Sequence, residues 1–276
     1  MNQGPPPSPR SMGVVALFLL VGCAPAAPAG DPGTGATEDV TVEIEYIGHA
    51  AFLVRSPEGT EVLLDPYASR VWIGYDFPSG VHPDAVAITH PHYDHDAGRY
   101  RGAPFPWPDA IVVDGPGTVE VGDITVTGIE GKHADPYGME FGQLNTIMLL
   151  EVAGIRLIHV GDNGPLSPAA AAAIGAVDVL MMPMDSAYHI LSPEETAEMR
   201  RMVSHRVLIP IHYRLPDLEA EPDSPEDLGP IDPVVAEEPR VRRLDSNMWT
   251  VTASTLPPQP WVVIFRASPS IPGARP

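Results

Sequence analysis

Ten residues constrain this chain more than any others: Thr89-His90-Pro91-His92-Tyr93-Asp94-His95-Asp96-Ala97-Gly98. Four side chains able to bind a metal, His90, His92, Asp94 and His95, fall within six positions, directly after the apolar run Ala85-Val86-Ala87-Ile88, which reads as a buried strand. Pro91 and Gly98 suit a loop leaving that strand rather than a helix. In an extended segment the side chains at i and i+2 point the same way, so His90 and His92 can aim at one point, with Asp94 and His95 turned towards a second position nearby. Neutral imidazole and carboxylate suit Zn²⁺ and similar divalent ions.

The remaining pattern is that of an α/β protein. Val40 to Ile47 alternates as a half-buried strand, Gly48-His49-Ala50-Ala51 turns, and Phe52–Arg55 and Glu61–Leu64 form a hairpin about Ser56-Pro57-Glu58-Gly59. Further strands are expected at Ile111–Val113, in a pair within Thr118–Ile129 that turns at Gly122-Asp123, at Asn145–Val152 and Ile155–Val160 around Gly154, at Val177–Pro183, at Arg206–Tyr213 and at Trp261–Phe265. Ser167-Pro168 and Ser192-Pro193-Glu194-Glu195 are helix starts, with Ser at the N-cap and Pro in the first turn, the second helix running to about Val203. Residues 68–84, with Trp72, Tyr75 and Phe77, have no periodicity and are expected to be surface packing rather than a flap over the site. The acidic, Pro-rich stretch from Leu215 to Asp245 reads as an insertion or loop.

His90-x-His92-x-Asp94-His95 resembles the signature of the metallo-β-lactamase superfamily of metal-dependent hydrolases. The resemblance covers most of the chain after about residue 41. Tyr46-Ile47-Gly48-His49-Ala50, Leu63-Leu64-Asp65-Pro66 and Ile209-Pro210-Ile211-His212-Tyr213 resemble the branch of ascorbate-6-phosphate lactonase-like and N-acyl-phosphatidylethanolamine phospholipase D-like proteins. The resemblance implies a four-layer αβ/βα sandwich whose site lies on loops at one edge of two sheets. It also implies two divalent ions, with Zn²⁺ first and Mn²⁺ or Fe²⁺ as alternatives. His90, His92 and His133 would hold the first ion, Asp94, His95 and His212 the second, and Asp162 would bridge them. His49 and Asp65 are expected to orient the ligands rather than bind metal, and His159 to pack beside the site.

The implied reaction is hydrolysis of an ester, lactone or phosphodiester by a metal-bridging hydroxide, with Asp94 also orienting the nucleophile. Tyr188, His189 and Arg214 are candidate substrate contacts, and Tyr213 and Lys132 also flank ligands. The resemblance tells against a true β-lactamase, because two groups of those enzymes use a metal-binding Cys and the single Cys here is Cys23. Two other readings stay open: a phosphodiesterase acting on phospholipid or nucleotide, and a metal-binding lipoprotein without turnover.

Cys23 closes an apolar run, Met12 to Val21, behind the basic Arg10. The run is short for a transmembrane span and reads as a secretory signal. Leu20-Val21-Gly22-Cys23 resembles a bacterial lipobox, which implies cleavage after residue 22 and lipidation of Cys23. Residues 23–39 then form a flexible Ala/Pro/Gly/Thr tether, and residues 40–276 the hydrolase domain. The expected location is exported and lipid-anchored to a bacterial membrane. The formal net charge of −20 argues against nucleic acid as a partner, leaving a small molecule or lipid as substrate.

Overall fold

The computed structural model describes residues 40–98, 104–216 and 228–271. The signal segment 1–22, Cys23 and the tether to residue 39 lie outside the described residues, as do residues 217–227 of the acidic stretch and the last five residues. Contacts divide the chain into Met1–Thr37 and Glu38–Pro276, and the second unit is the one described below.

Its strands are β1 (Val42–Gly48), β2 (Ala51–Arg55), β3 (Glu61–Leu64), β4 (Ala85–Ala87), β5 (Ile111–Val113), β6 (Gly117–Val121), β7 (Ile124–Lys132), β8 (Leu144–Val152), β9 (Ile155–His159), β10 (Val179–Pro183), β11 (Val207–Ile211), β12 (Val241–Arg243), β13 (Met248–Val251) and β14 (Trp261–Ile264). The helices are α1 (Pro168–Ile174), α2 (Pro193–Met202) and the single turn α3 (Asp232–Val235). A six-stranded sheet runs β13-β1-β2-β3-β4-β5 and an eight-stranded sheet runs β12-β14-β11-β10-β9-β8-β7-β6. In the first, β3, β4 and β5 are parallel; in the second, β9, β10, β11, β14 and β12 are parallel, so both sheets are mixed. This is the expected αβ/βα sandwich, with a thin helical layer.

The period of two in the first sheet decides what each face buries. Ile44, Tyr46, Phe52, Val54, Val62, Leu64, Ala85 and Ala87 enter one large cluster with residues of the second sheet, which is the core between the layers. Their neighbours Ile47, Leu53, Leu63, Val86 and Ile88 point the other way and pack with Tyr67, Ile73, Trp107 and Leu228. The outer face of the first sheet is thus covered by the irregular segments around residues 67–81 and 105–110, and Tyr75 and Phe77 pack there as expected.

Local chemistry explains the elements that matter for the site. Ser192 accepts from the Glu195 N–H while Glu195 accepts from the Ser192 N–H, a capping box that starts α2. Ser167 caps α1 by accepting from the Ala170 N–H. Ala153 and Gly154, both with positive φ, make the two-residue turn between β8 and β9, the geometry that matches the twist of paired strands. The expected loop from Leu215 to Asp245 is corrected in part: α3 and β12 lie within it, and β12 pairs in parallel with β14. β13, which no pattern in the sequence marks, closes the first sheet against β1. Among the described residues no helix is long and apolar enough to cross a membrane.

Leu63 is fully buried in the outer cluster. Leu63→Ala should therefore lower unfolding free energy by about 2–4 kcal/mol, measured by urea titration; a change within about 0.5 kcal/mol would mean that the irregular segments do not close over this face.

Candidate metal centre

The chain brings its ionisable residues to one edge of both sheets, beyond the carboxyl ends of the parallel strands, where open α/β sheets present their sites. His49 sits in the turn between β1 and β2. Asp65 follows β3. The segment from Thr89 to Asp96 follows β4, His133 follows β7, Asp162 follows β9, His189 follows β10 and His212 follows β11. His90, Asp94, His95, His133, Asp162 and His212 are all buried, while His92 is half-buried.

Their ligand atoms form two groups joined by a third. Those of His90, His92 and His133 lie within 4.8 Å of one another, as do those of Asp94, His95, His212 and His49. Asp162 joins them, its ligand atom within the same distance of those of His90 and His95. One of its oxygens is 3.9 Å from His90 Nε2, 3.8 Å from His133 Nε2 and 3.2 Å from His212 Nε2, and the other is 3.2 Å from His95 Nε2. Asp94 Oδ2 is 3.4 Å from His212 Nε2 and 3.6 Å from His95 Nε2. Two ligand atoms each ~2.0–2.1 Å from one tetrahedral ion stand roughly 3.3 Å apart, so these separations suit shared coordination.

The hydrogen bonds point the same way. His95 Nδ1 donates to Asp65 Oδ2 at 2.7 Å, and His133 Nδ1 donates to the Ala134 carbonyl at 2.8 Å. Thr89 Oγ1 donates to Asp65 at 2.7 Å and so accepts from His90 Nδ1 at 3.0 Å. In the neutral rings each outer nitrogen then carries the proton, which leaves the Nε2 lone pair facing inward. The Nε2 atoms of His90, His95, His133 and His212 and one oxygen of Asp162 are buried without a well-formed hydrogen bond. Such groups are costly to leave unpartnered, and a divalent ion satisfies them.

Supporting contacts fix the groups in place. Gly161 adopts φ +56°, and a Cβ there would stand 2.3 Å from Thr89 Oγ1, so glycine lets Asp162 and the Asp65–Thr89–His90 chain approach. Asn163 Oδ1 accepts from the Lys132 N–H and from Asn145 Nδ2, and Ala134 N–H donates to the Asp162 carbonyl, lacing His133 to Asp162. His49 Nε2 donates to Asp94 Oδ2 at 3.1 Å, and the His49 carbonyl accepts from the His212 N–H at 3.1 Å. Thus one residue of the first sheet aims ligands from both sheets. His159 donates to the Ala50 carbonyl and accepts from Gly161 N–H, so it packs beside the site.

Electrostatics follow from burial against paired carboxylates. Burial lowers the pKa of His49 to about 4, with repulsion from His212 adding to the effect. Burial likewise holds His90 well below its ordinary value and lowers His92. Burial alone would raise Asp94 and Asp162, but the facing histidines outweigh it and hold both carboxylates well below their usual range. Burial also opposes charge on His95 and His212, yet Asp162 and Asp94 dominate: His95 is pushed well above its ordinary value and His212 up to about 9.

The cleft above these groups has a volume of about 240 Å³ and is lined by Trp72, His92, Tyr93, Asp94, Tyr137, Glu140, Asp162, His189, Ile190 and His212. The structure therefore places His189 in the cleft but neither Tyr188 nor Arg214. Tyr188 is exposed away from it, and Arg214 is turned to the surface, its N–H donating to the Gly229 carbonyl. Tyr213 is buried and stacks on Tyr46, and Lys132 lies at the surface near Asp135. Trp72 was expected to be surface packing; instead its ring meets those of His49, His189 and His212 at 5.4–5.8 Å. Tyr137 and Glu140, on a 3-10 helix at Tyr137–Phe141, were not found from the sequence.

A buried imidazole–carboxylate cluster with unpartnered inward nitrogens, set at the strand ends of a two-sheet sandwich, defines a metal-dependent enzyme. A family model described as a beta-lactamase superfamily domain matches residues 43–212, the span that holds every ligand named above. The chain belongs to the metallo-β-lactamase superfamily and is a metal-dependent hydrolase. It is 27% identical over 253 residues to a UPF0173 metal-dependent hydrolase of Myxococcus xanthus, covering 78% of this chain and 89% of that one. It is 26% identical to a like-named protein of Methanosarcina mazei, covering 64% and 85%. Among solved structures it resembles a metallo-β-lactamase superfamily protein of Thermotoga maritima described as a Zn-dependent hydrolase, with a TM-score of 0.61 and 25% identity over 82% of this chain and 100% of that one. The metallo-β-lactamase fold protein YhfI of Bacillus subtilis shares the fold, at a TM-score of 0.51 and 14% identity over 82% and 98%.

Two outcomes follow. His212, protonated in the metal-free site below about pH 9, must lose that proton to bind metal. Zn²⁺ binding at pH 7.5 should therefore release protons, and apparent affinity should rise with pH up to about 9. Calorimetric heats that do not depend on the buffer's ionisation enthalpy would contradict this. Separately, His49→Ala removes the outer partner of Asp94 and should weaken metal binding by about 10–100-fold, read by competition with a chelating dye; unchanged affinity would assign His49 to packing alone.

Proposed function

We propose that this chain is a dinuclear hydrolase of esters, lactones or phosphodiesters. His90, His92 and His133 would hold one ion, Asp94, His95 and His212 a second, with Asp162 within reach of both. The observation that carries this reading is Asp162, whose carboxylate stands within 4 Å of imidazoles from both groups. A single ion would satisfy one group and leave buried, inward-facing nitrogens of the other without a partner. The imidazole-rich set suits Zn²⁺, and the two carboxylates also accept Mn²⁺ or Fe²⁺.

At these residues divalent ions would supply Lewis acidity towards a carbonyl or phosphoryl oxygen and would lower the pKa of a coordinated water towards neutrality. The protein supplies the rest. Asp94, kept ionised by the facing histidines and held by His49, orients the attacking water at its free lone pairs. Asp65 and Thr89 keep His95 and His90 in the tautomer with Nε2 inward. Trp72, Tyr137 and His189 wall the cleft and hold the substrate against these groups. The resemblance of Tyr46–Ala50 and Ile209–Tyr213 to lactonase-like proteins supports an ester or lactone. The pattern of residues 12–23 supports export and lipid anchoring at Cys23, which would set the domain beside a membrane; Cys23→Ala should then move the protein from the membrane to the soluble fraction.

The test is metal content and hydrolysis by the full-length protein, wild type and Asp162→Ala. About two ions per chain, falling to one or fewer in the variant with at least 100-fold loss of kcat/KM on an aryl ester or lactone, is the expected result. One ion per chain in an active wild type, or an Asp162→Ala enzyme as active as wild type, would overturn the dinuclear assignment.

A further inference from the structure

The cleft's walls differ in character from its floor. Tyr137 and Glu140 are three apart on a 3-10 helix, so they lie on the same face, and both line the cleft. The Tyr137 ring stacks on His189 at 4.4 Å and 18°, and His189 stacks on His212 at 5.3 Å and 14°. These three rings form a ladder from Tyr137, 44% exposed, inward to the buried His212. The Trp72 ring, from the irregular segment over the first sheet, lies against His189 and His212. Among the described residues no Lys or Arg lines the cleft, and none pairs with Glu140. Among the described residues, the outer end of the cleft therefore offers aromatic faces and the Glu140 carboxylate, with no Lys or Arg facing it.

Resting on the hydrolase reading above, we propose that the substrate is an ester or lactone whose non-reacting arm carries an ammonium group, held by Glu140 with Tyr137 and Trp72. Aromatic faces attract a cation through their quadrupole, and an unpaired carboxylate beside them adds a Coulombic term of the same sign. An anionic centre at the reacting end would meet the metal groups. A second anionic group on the arm would meet Glu140 with no Lys or Arg among the described residues to offset it. This separates the chain from hydrolases of substrates bearing a phosphate away from the cleaved bond, which need a basic side chain there. Glu140 is thus a specificity-determining residue.

The experiment compares three acetate esters of like shape on Zn²⁺-loaded full-length protein: those of choline, of 3,3-dimethylbutanol and of a carboxylate-ended alcohol of the same length. The choline ester should show kcat/KM about tenfold above the dimethylbutyl ester, with the carboxylate ester lowest. Glu140→Gln should bring the choline-to-dimethylbutyl ratio close to one, and Glu140→Lys should favour the carboxylate ester, with metal content unchanged in both. A carboxylate ester hydrolysed as well as the choline ester, or a ratio that neither Glu140 variant moves, would overturn the inference. Calorimetric binding of the three alcohols reads the same preference without turnover. Ordered binding with no hydrolysis of any ester would support the arm's assignment while overturning ester hydrolysis; hydrolysis with equal binding and equal rates would do the reverse.

Discussion

Four imidazoles converge on the carboxylate of Asp162, at 3.2–3.9 Å, and the rest of the architecture serves to hold that arrangement out of water. A buried carboxylate facing buried histidines is stable only if charge is shared among them or offset by an ion. The facing carboxylates push His95 and His212 up, and the facing histidines hold Asp94 and Asp162 down. A divalent ion replaces protons on these imidazoles with a charge of the same sign. The site's charge is thereby tied to its chemistry: buried imidazoles set against buried carboxylates are the arrangement a divalent ion would satisfy.

Such a cluster needs two sheets. His90, Asp94 and His95 come from the end of β4 in the six-stranded sheet, while His133, Asp162 and His212 come from the eight-stranded sheet. Neither sheet alone supplies a full set. The interlayer core sets the distance between them, and two small devices set the aim. Asp65 gathers Thr89 and His95 on one side. On the other, His49 spans the gap, its ring on Asp94 and its carbonyl on the His212 N–H. His49 has φ +55°, an unfavourable conformation for a non-glycine residue, and that strain is balanced by these contacts and by burial.

The sequence carried the parts of this design that repeat at a fixed spacing. The alternating strands and the capped helices depend on local periods of two or on cap chemistry, and they stand where they are expected, with the run from His90 to His95 leaving the end of β4. Parts that depend on long-range pairing were harder to read. β13 is four residues long and partners β1 some two hundred positions away, and β12 is three residues with two exposed arginines in an acidic setting. Nearness in sequence does not fix placement either: Arg214 is two residues from His212, which has φ +61°, and it is exposed and outside the cleft lining. Trp72 has no pattern around it and still reaches the cleft, because its segment covers the outer face of the first sheet and one ring folds over the edge. Tyr137 and Glu140 share a face only because five residues form a 3-10 helix, too short a stretch for periodicity to register.

The most direct measurement is anomalous diffraction at the zinc edge from crystals of the Zn²⁺-loaded protein. The account predicts two peaks: one ~2.0–2.1 Å from Nε2 of His133 and from a nitrogen each of His90 and His92, the other beside Asp94, His95 and His212, with Asp162 reaching both. A single peak, or peaks that leave Asp162 uncoordinated, would contradict it.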